Sequence, residues 1–216
     1  MSHSAPPPDI PDVPEAEVAE RAAKTTTPAV LHTADLRPFM ASFPSGVSVV
    51  TTLDADGRPH GLTCSSLASV ALAPPTLVVC IRTASPTLDV LLRQGQFALN
   101  LLHEEARPTS DLFASGDPER FERVEWRLPL GASGPHLVSS THAVTDCAVV
   151  KTTSFGDHTA VFAEARRITV RPSPRPLLYG LRRYAKWSAA ASAPQPAAVP
   201  LPLRGLSAEG AAHVSG

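Results

Sequence analysis

FPSGVSVVTTLDADGRPHGLTCSS, Phe43 to Ser66, decides the fold. Val47, Val49 and Thr51 alternate with Ser48, Val50 and Thr52, the two-residue period of a strand with one face in a core. Asp56-Gly57 predicts a tight turn, because glycine tolerates the positive φ of primed hairpin turns. The returning arm carries no large side chain from Thr63 to Ser66, which leaves hydroxyls and backbone N–H groups within reach of a polar ligand.

Composition narrows the function classes. The chain has 216 residues and a formal charge of -1, so no electrostatic signal favours nucleic acid. No apolar stretch approaches the roughly 18 residues that span a bilayer, and Val70 to Ile81 is broken by Pro74-Pro75. The opening MSHSAPPPDI lacks a basic n-region and an apolar core, so a cytoplasmic protein without a secretory signal is expected. Cys64, Cys80 and Cys147 are odd in number and widely spaced, which fits reduced thiols better than a disulfide framework or zinc site.

All aromatic residues fall between Phe39 and Trp187. Residues 1–33 and 188–216 are rich in proline and alanine, a composition that buries too little surface to offset ordering, so disorder is predicted there apart from a frayed helix near Glu15 to Lys24. Residues 34–187 then form one domain.

Within that domain, Thr76 to Ile81 reads as a strand covered on both sides and ends at Arg82. Ser85-Pro86 reads as a helix start, with Leu88, Leu91 and Leu92 as the buried stripe and Gly95 as the stop. Gln96 to Leu102 predicts a further strand, Thr109 to Ala114 and Asp117 to Phe121 short helical turns, and Ala143 to Thr153 with Thr159 to Val170 a long strand pair. The class is mainly antiparallel β with a few short helices, a barrel or sandwich rather than a doubly wound sheet. Neither a dinucleotide-binding glycine fingerprint nor a P-loop is present.

Two places could carry chemistry. Arg82, Ser85 and Thr87 at a helix N-terminus make a phosphate receptor by charge, donor geometry and dipole; the alternative is a capped surface helix with a solvated arginine. His158, on the Gly156-Asp157-His158-Thr159 tip, can approach a ligand held elsewhere on the sheet, or be structural beside an Asx turn at Asp157. His60, His103, His136 and His142 show no metal-ligand spacing, and Glu104, Glu105 and Asp111 read as a solvated helix face. With no nucleophile and base in view, the chain suits a cofactor that brings its own reactivity.

FPSGVSVVTT, the segment from Asp54 to Ser66, SVALAPPTLVVCI from Ser69, SPT at Ser85 to Thr87, GQFALNLL from Gly95, the GDHT turn and PLLY at Pro176 to Tyr179 together resemble the flavin reductase family with the split-barrel FMN-binding fold. The resemblance implies an antiparallel Greek-key split β-barrel, a homodimer, and hydride transfer from NADH or NADPH to FMN or FAD. It also implies delivery of reduced flavin by diffusion to a separate flavin-dependent monooxygenase, as the reductase components of two-component systems do. Alternatives on the same barrel are a flavin-dependent oxidase or monooxygenase and a non-catalytic flavin-binding module.

Carried over residue by residue, the flavin would lie against Thr63, Ser65 and Ser66, with Cys80, Ile81, Arg82, Ser85, Pro86 and Thr87 at its phosphate end and Phe113 in further contact. Pro59, His60, Gly61, Leu62, Tyr179 and Tyr184 would line the nicotinamide side, with His158 as the catalytic contact. The chain departs from the family pattern at Leu67, where phenylalanine is usual, and in Gly-Leu-Arg-Arg-Tyr after Tyr179, so contacts there transfer only loosely.

Overall fold

In the computed structural model, residues 35–189 are described, so the expectations for residues 1–33 and for the tail beyond 189 lie outside them. The elements run α1 (Arg37–Ala41), β1 (Ser45–Gly46), β2 (Ser48–Leu53), β3 (Pro59–Cys64), β4 (Leu67–Leu72), β5 (Pro75–Arg82), α2 (Pro86–Gln94) and β6 (Gln96–Leu102). They continue with α3 (Arg107–Ser115), β7 (Trp126–Arg127), β8 (His136–Leu137), β9 (Thr141–Phe155), β10 (His158–Val170), β11 (Leu177–Gly180) and β12 (Arg183–Lys186). A 3-10 turn, Trp187–Ala189, contains the domain boundary expected at 187, and its Ser188 N–H donates to Glu104 Oε2 at 3.0 Å.

The protein is mainly β and antiparallel. Its principal sheet has the order β3-β2-β6-β9-β10-β5-β4. β3 and β5 stand far apart in that order, yet Cys64 shares a core with Val79 and Ile81, and Ser66 Oγ donates to the Cys80 carbonyl at 2.7 Å. The sheet therefore curls until its two ends approach, around a core that also holds Val50, Phe97, Leu99 and Val161, with Leu88 and Leu91 of α2 packed in.

The opening hairpin forms in the expected place with a different turn. Gly57 N–H bonds the Asp54 carbonyl at 3.1 Å, and the Asp54 carboxylate accepts the N–H groups of Asp56 and Arg58. Gly57 alone in this loop has positive φ, at 77°, so the turn spans Asp54 to Gly57 and is not a primed turn centred on Asp56-Gly57.

β2 is buried on both faces, with Val49, Val50, Thr51 and Thr52 all at 0% exposure, where one buried face was expected. The second cover is a loop that periodicity does not reveal. Thr51 Oγ1 donates to the Pro135 carbonyl at 2.6 Å, Asn100 Nδ2 donates to it at 3.2 Å, and Leu137 N–H donates to Asn100 Oδ1 at 2.9 Å. On α2, Thr87 and Val90 are buried while Leu92 is exposed, and on β5 only Val79 and Ile81 are fully buried. Residues 117–121 form turns rather than a helix. Glu104 is 8% exposed, outside any helix, and pairs with Arg175, which corrects the reading of a solvated helix face.

The same loop is fastened by Asp146, whose carboxylate accepts Ser133 N–H at 2.7 Å, His136 Nε2 at 3.0 Å and Arg167 Nε at 2.8 Å. Burial alone would raise its pKa, but these hydrogen bonds outweigh burial and hold it below the usual carboxylate range. A depressed folded-state pKa contributes stability above about pH 4 that is lost as pH falls through the lower folded value. The unfolding free-energy difference between wild type and Asp146→Asn, from urea titrations, is expected to shrink on acidification from about pH 6 to about pH 3; a constant difference would contradict this linkage.

Candidate functional site

The end of β5 and the start of β10 meet by register, His158 opposite Arg82 and Thr159 opposite Ile81. The corner is tied by Thr83 N–H to the Asp157 carbonyl at 2.8 Å and by the Thr83 and Thr159 hydroxyls at 3.2 Å. This brings the histidine of one turn beside the arginine that precedes α2. The 3.4 Å contact of Cys64 Sγ with Ser66 Oγ, and the bonds of Ser66 Oγ to both the carbonyl and the N–H of Cys80, fix the end of β3 against β5.

Between these walls lies a concavity of about 430 Å³. Leu62, Thr63, Ser65, Ser66, Cys80, Ile81, Arg82, Ser85, Phe113 and His158 line it, which gathers ten of the expected site residues in one place. Cys64 and Ala114 line it as well, and no chemical signal in the sequence singles out that alanine.

The remaining expected residues stand elsewhere. Thr87 is buried and Pro86 lies outside the lining. His60 pairs with Asp54 at 3.2 Å beside the hairpin turn, and Pro59 opens β3 opposite Leu53. Gly61 has a packing role: a Cβ there would lie 2.9 Å from Phe113 Cε1 and 3.1 Å from Phe121 Cζ, rings that stack edge-on at 5.1 Å. Tyr179 and Tyr184 pair across β11 and β12 outside the lining. They reach the wall indirectly, since Tyr184 OH lies 3.0 Å from Ser110 Oγ and Thr63 Oγ1 donates to the Ser110 carbonyl at 2.7 Å. Ser110, which the sequence did not mark, thus joins α3 to both.

The polar groups of the concavity are unevenly engaged. Thr63 and Ser66 spend their hydroxyls on internal bonds, whereas Ser65 is exposed. At the α2 corner, the N–H groups of Thr83, Ser85, Leu88 and Asp89 already bond carbonyls, so few remain for an anion. Ser85 Oγ makes no capping bond and Arg82 is exposed, so these two side chains, rather than a row of amides, are the polar groups this corner leaves open.

His158 Nδ1 lies 2.8 Å from Asp157 Oδ1, and this bond, with the charges of His158 and Arg82, lowers the Asp157 pKa. Burial pushes the Cys64 thiol up and takes Cys147 to about 12, so neither supplies a thiolate near neutrality. Among the described residues, no group of His, Cys, Asp and Glu side chains could hold a metal ion. No helix among them is long and apolar enough to cross a membrane.

Comparison with known proteins agrees with this geometry. Residues 40–188 match the flavin reductase like domain. The chain is similar to a flavin reductase (NADPH) of Lentzea aerocolonigenes, 44% identical over 155 residues, covering 72% of this chain and 90% of that protein. It is also similar to a flavin reductase (NADH) of Kitasatospora aureofaciens, 41% identical over 150 residues, covering 69% and 78%. The solved styrene monooxygenase flavin reductase of Pseudomonas putida S12 superposes with a TM-score of 0.64 at 27% identity, covering 74% of this chain and 98% of that one. With the match spanning most of the chain and nearly the whole described fold, the protein belongs to the flavin reductase like domain family.

Proposed function

We infer that this protein is an NAD(P)H-dependent flavin reductase, which reduces FMN or FAD and supplies the reduced flavin to a partner monooxygenase. The observation that carries the reading is the concavity itself: an apolar wall from Leu62, Ile81 and Phe113 facing a cation, exposed hydroxyls and a histidine. That donor set fits a ligand with a flat aromatic body and an anionic tail. The catalytic domain is residues 34–187, and the family match over 40–188 supports those limits.

When bound, the flavin supplies the acceptor for hydride from the reduced nicotinamide. Arg82 and Ser85 would hold its phosphate, and Ser65 would meet the polar edge of the ring. Leu62, Ile81 and Phe113 exclude water. Ser66, bonded to both backbone groups of Cys80, keeps the walls at a fixed separation. His158 would contact the nicotinamide. Its Nδ1, 2.8 Å from Asp157 Oδ1, holds the ring in place, so the role is orientation.

A steady-state assay crossing NADH and NADPH with FMN, FAD and riboflavin tests the reading. Rapid nicotinamide oxidation with free flavin is the expected result. Oxidation that requires an organic co-substrate, or none at all, would overturn it. For His158→Ala, turnover is expected to fall about three- to tenfold, the size of one lost hydrogen bond, with the flavin Kd little changed; unaltered turnover would remove His158 from the site.

The protein acts as a homodimer in the cytoplasm. An apolar hollow of about 340 Å³ lined by Leu67, Leu72, Leu77, Leu101, Ile168 and Val170 supports self-association, because Leu72, Ile168 and Val170 are otherwise exposed. Three free cysteines support a reducing compartment.

A further inference from the structure

Thr63 and Ser65 stand two residues apart where β3 ends, and both line the concavity. Their hydrogen-bonding capacities differ. Thr63 Oγ1 lies 2.7 Å from the Ser110 carbonyl oxygen. Two oxygens that close repel unless a proton lies between them, and a carbonyl has none to give, so the threonine hydroxyl donates there. Toward a ligand, its lone pairs can then only accept.

This polarity is anchored from outside the hollow. The carbonyl belongs to α3, where Ser110 is buried, its N–H bonds the Ala106 carbonyl at 3.1 Å and its Oγ lies 3.0 Å from Tyr184 OH. The neighbouring groups complement it. Ser65 makes no hydrogen bond among the described residues, which leaves both its N–H and its O–H to donate. Ser66 Oγ donates to the Cys80 carbonyl and receives the Cys80 N–H, so it is not a second acceptor for a ligand.

We propose that Thr63 is the acceptor for the imide N–H of the bound flavin, with Ser65 donating to one of the two carbonyls that flank it. The proposal rests on the flavin reductase reading, because that reading supplies the ring. The oxidised isoalloxazine carries one ring N–H, between those carbonyls; its other polar ring atoms are acceptors. A hydroxyl that can only accept therefore matches the ring at one point. Thr63 fixes which edge enters the concavity, turning the pyrimidine end toward β3 and α3.

The test uses the full chain and FMN labelled with 15N in its ring. In the wild type, NMR is expected to show the imide N–H moved downfield on binding. In Thr63→Val, which keeps the shape but has no hydroxyl, that resonance returns toward its value in free FMN. The Kd is expected to rise about two- to tenfold for FMN and riboflavin alike, the loss of one neutral hydrogen bond to a ring that both share. Thr63→Ser restores the wild-type signal. An imide resonance identical in wild type and Thr63→Val overturns the proposal, as does a change confined to the other ring nitrogens, or a serine variant that behaves like valine. A wild-type protein that binds no flavin counts against the reductase reading, whereas one that binds flavin without the imide signature counts against this proposal alone.

Discussion

Replacing Gly134 with alanine is expected to destabilise the protein by about 3 kcal/mol or more, and to lower Tm by about 6–12 °C. A Cβ at this position would lie 2.3 Å from the Thr51 carbonyl oxygen and 3.1 Å from Ala98 N, both backbone atoms of the sheet. Neither β2 nor β6 can retreat, because each is paired on both sides in the principal sheet. The segment would have to lift, and lifting it breaks the bonds of Pro135 to Thr51 and Asn100 and that of Ser133 N–H to Asp146. It would also expose the second face of β2. Urea and thermal unfolding measure the loss. A Tm within about 2 °C of wild type would mean that the close approach of residue 134 to β2 is not a feature of the folded protein.

The second large effect is expected at Arg82. Arg82 is exposed and lines the concavity, and the N–H groups of the adjoining helix start are mostly taken, so under the proposed function the flavin phosphate would depend on this side chain and Ser85. Arg82→Ala is expected to weaken FMN binding by about 1.5–3 kcal/mol, roughly ten- to over a hundredfold in Kd. Riboflavin, without the phosphate, serves as the comparison: its Kd is expected to move by less than about twofold. The preference for FMN over riboflavin therefore collapses in the variant. Equal losses for both flavins would assign Arg82 to the shape of the wall rather than to the phosphate, and an unaltered FMN Kd would remove it from the site.

Much of this arrangement was legible in the sequence because it depends on local pattern. Alternation marks the arms of the hairpin, and Ser85-Pro86 with Gly95 brackets α2. The gathering of Thr63, Ser65, Ser66, Arg82, Ser85 and His158 was reached through family resemblance, since the β5 and β10 register that unites them joins residues more than seventy positions apart. What stayed hidden was contact between segments that carry no period. The cover on the outer face of β2 comes from a loop fastened by two hydrogen bonds each to Asn100 and Asp146. Glu104 looked solvated because its partners, Arg175 and Ser188, follow some seventy residues later or more. Turn chemistry misled in a smaller way: Asp56-Gly57 suits a primed turn, but the Asp54 carboxylate captures two N–H groups and the corner lies one residue earlier.

Gly61 gives the concavity a property that its lining does not. The Phe113 and Phe121 rings rest against the bare backbone of β3 at that point, so the depth of the hollow is gauged from behind the wall. A methyl group at residue 61 would collide with both rings and with the Val50 carbonyl oxygen, so Phe113, which lines the concavity, would have to shift. The position of one wall of the concavity is thus set at a residue outside its lining, through a ring that belongs to it.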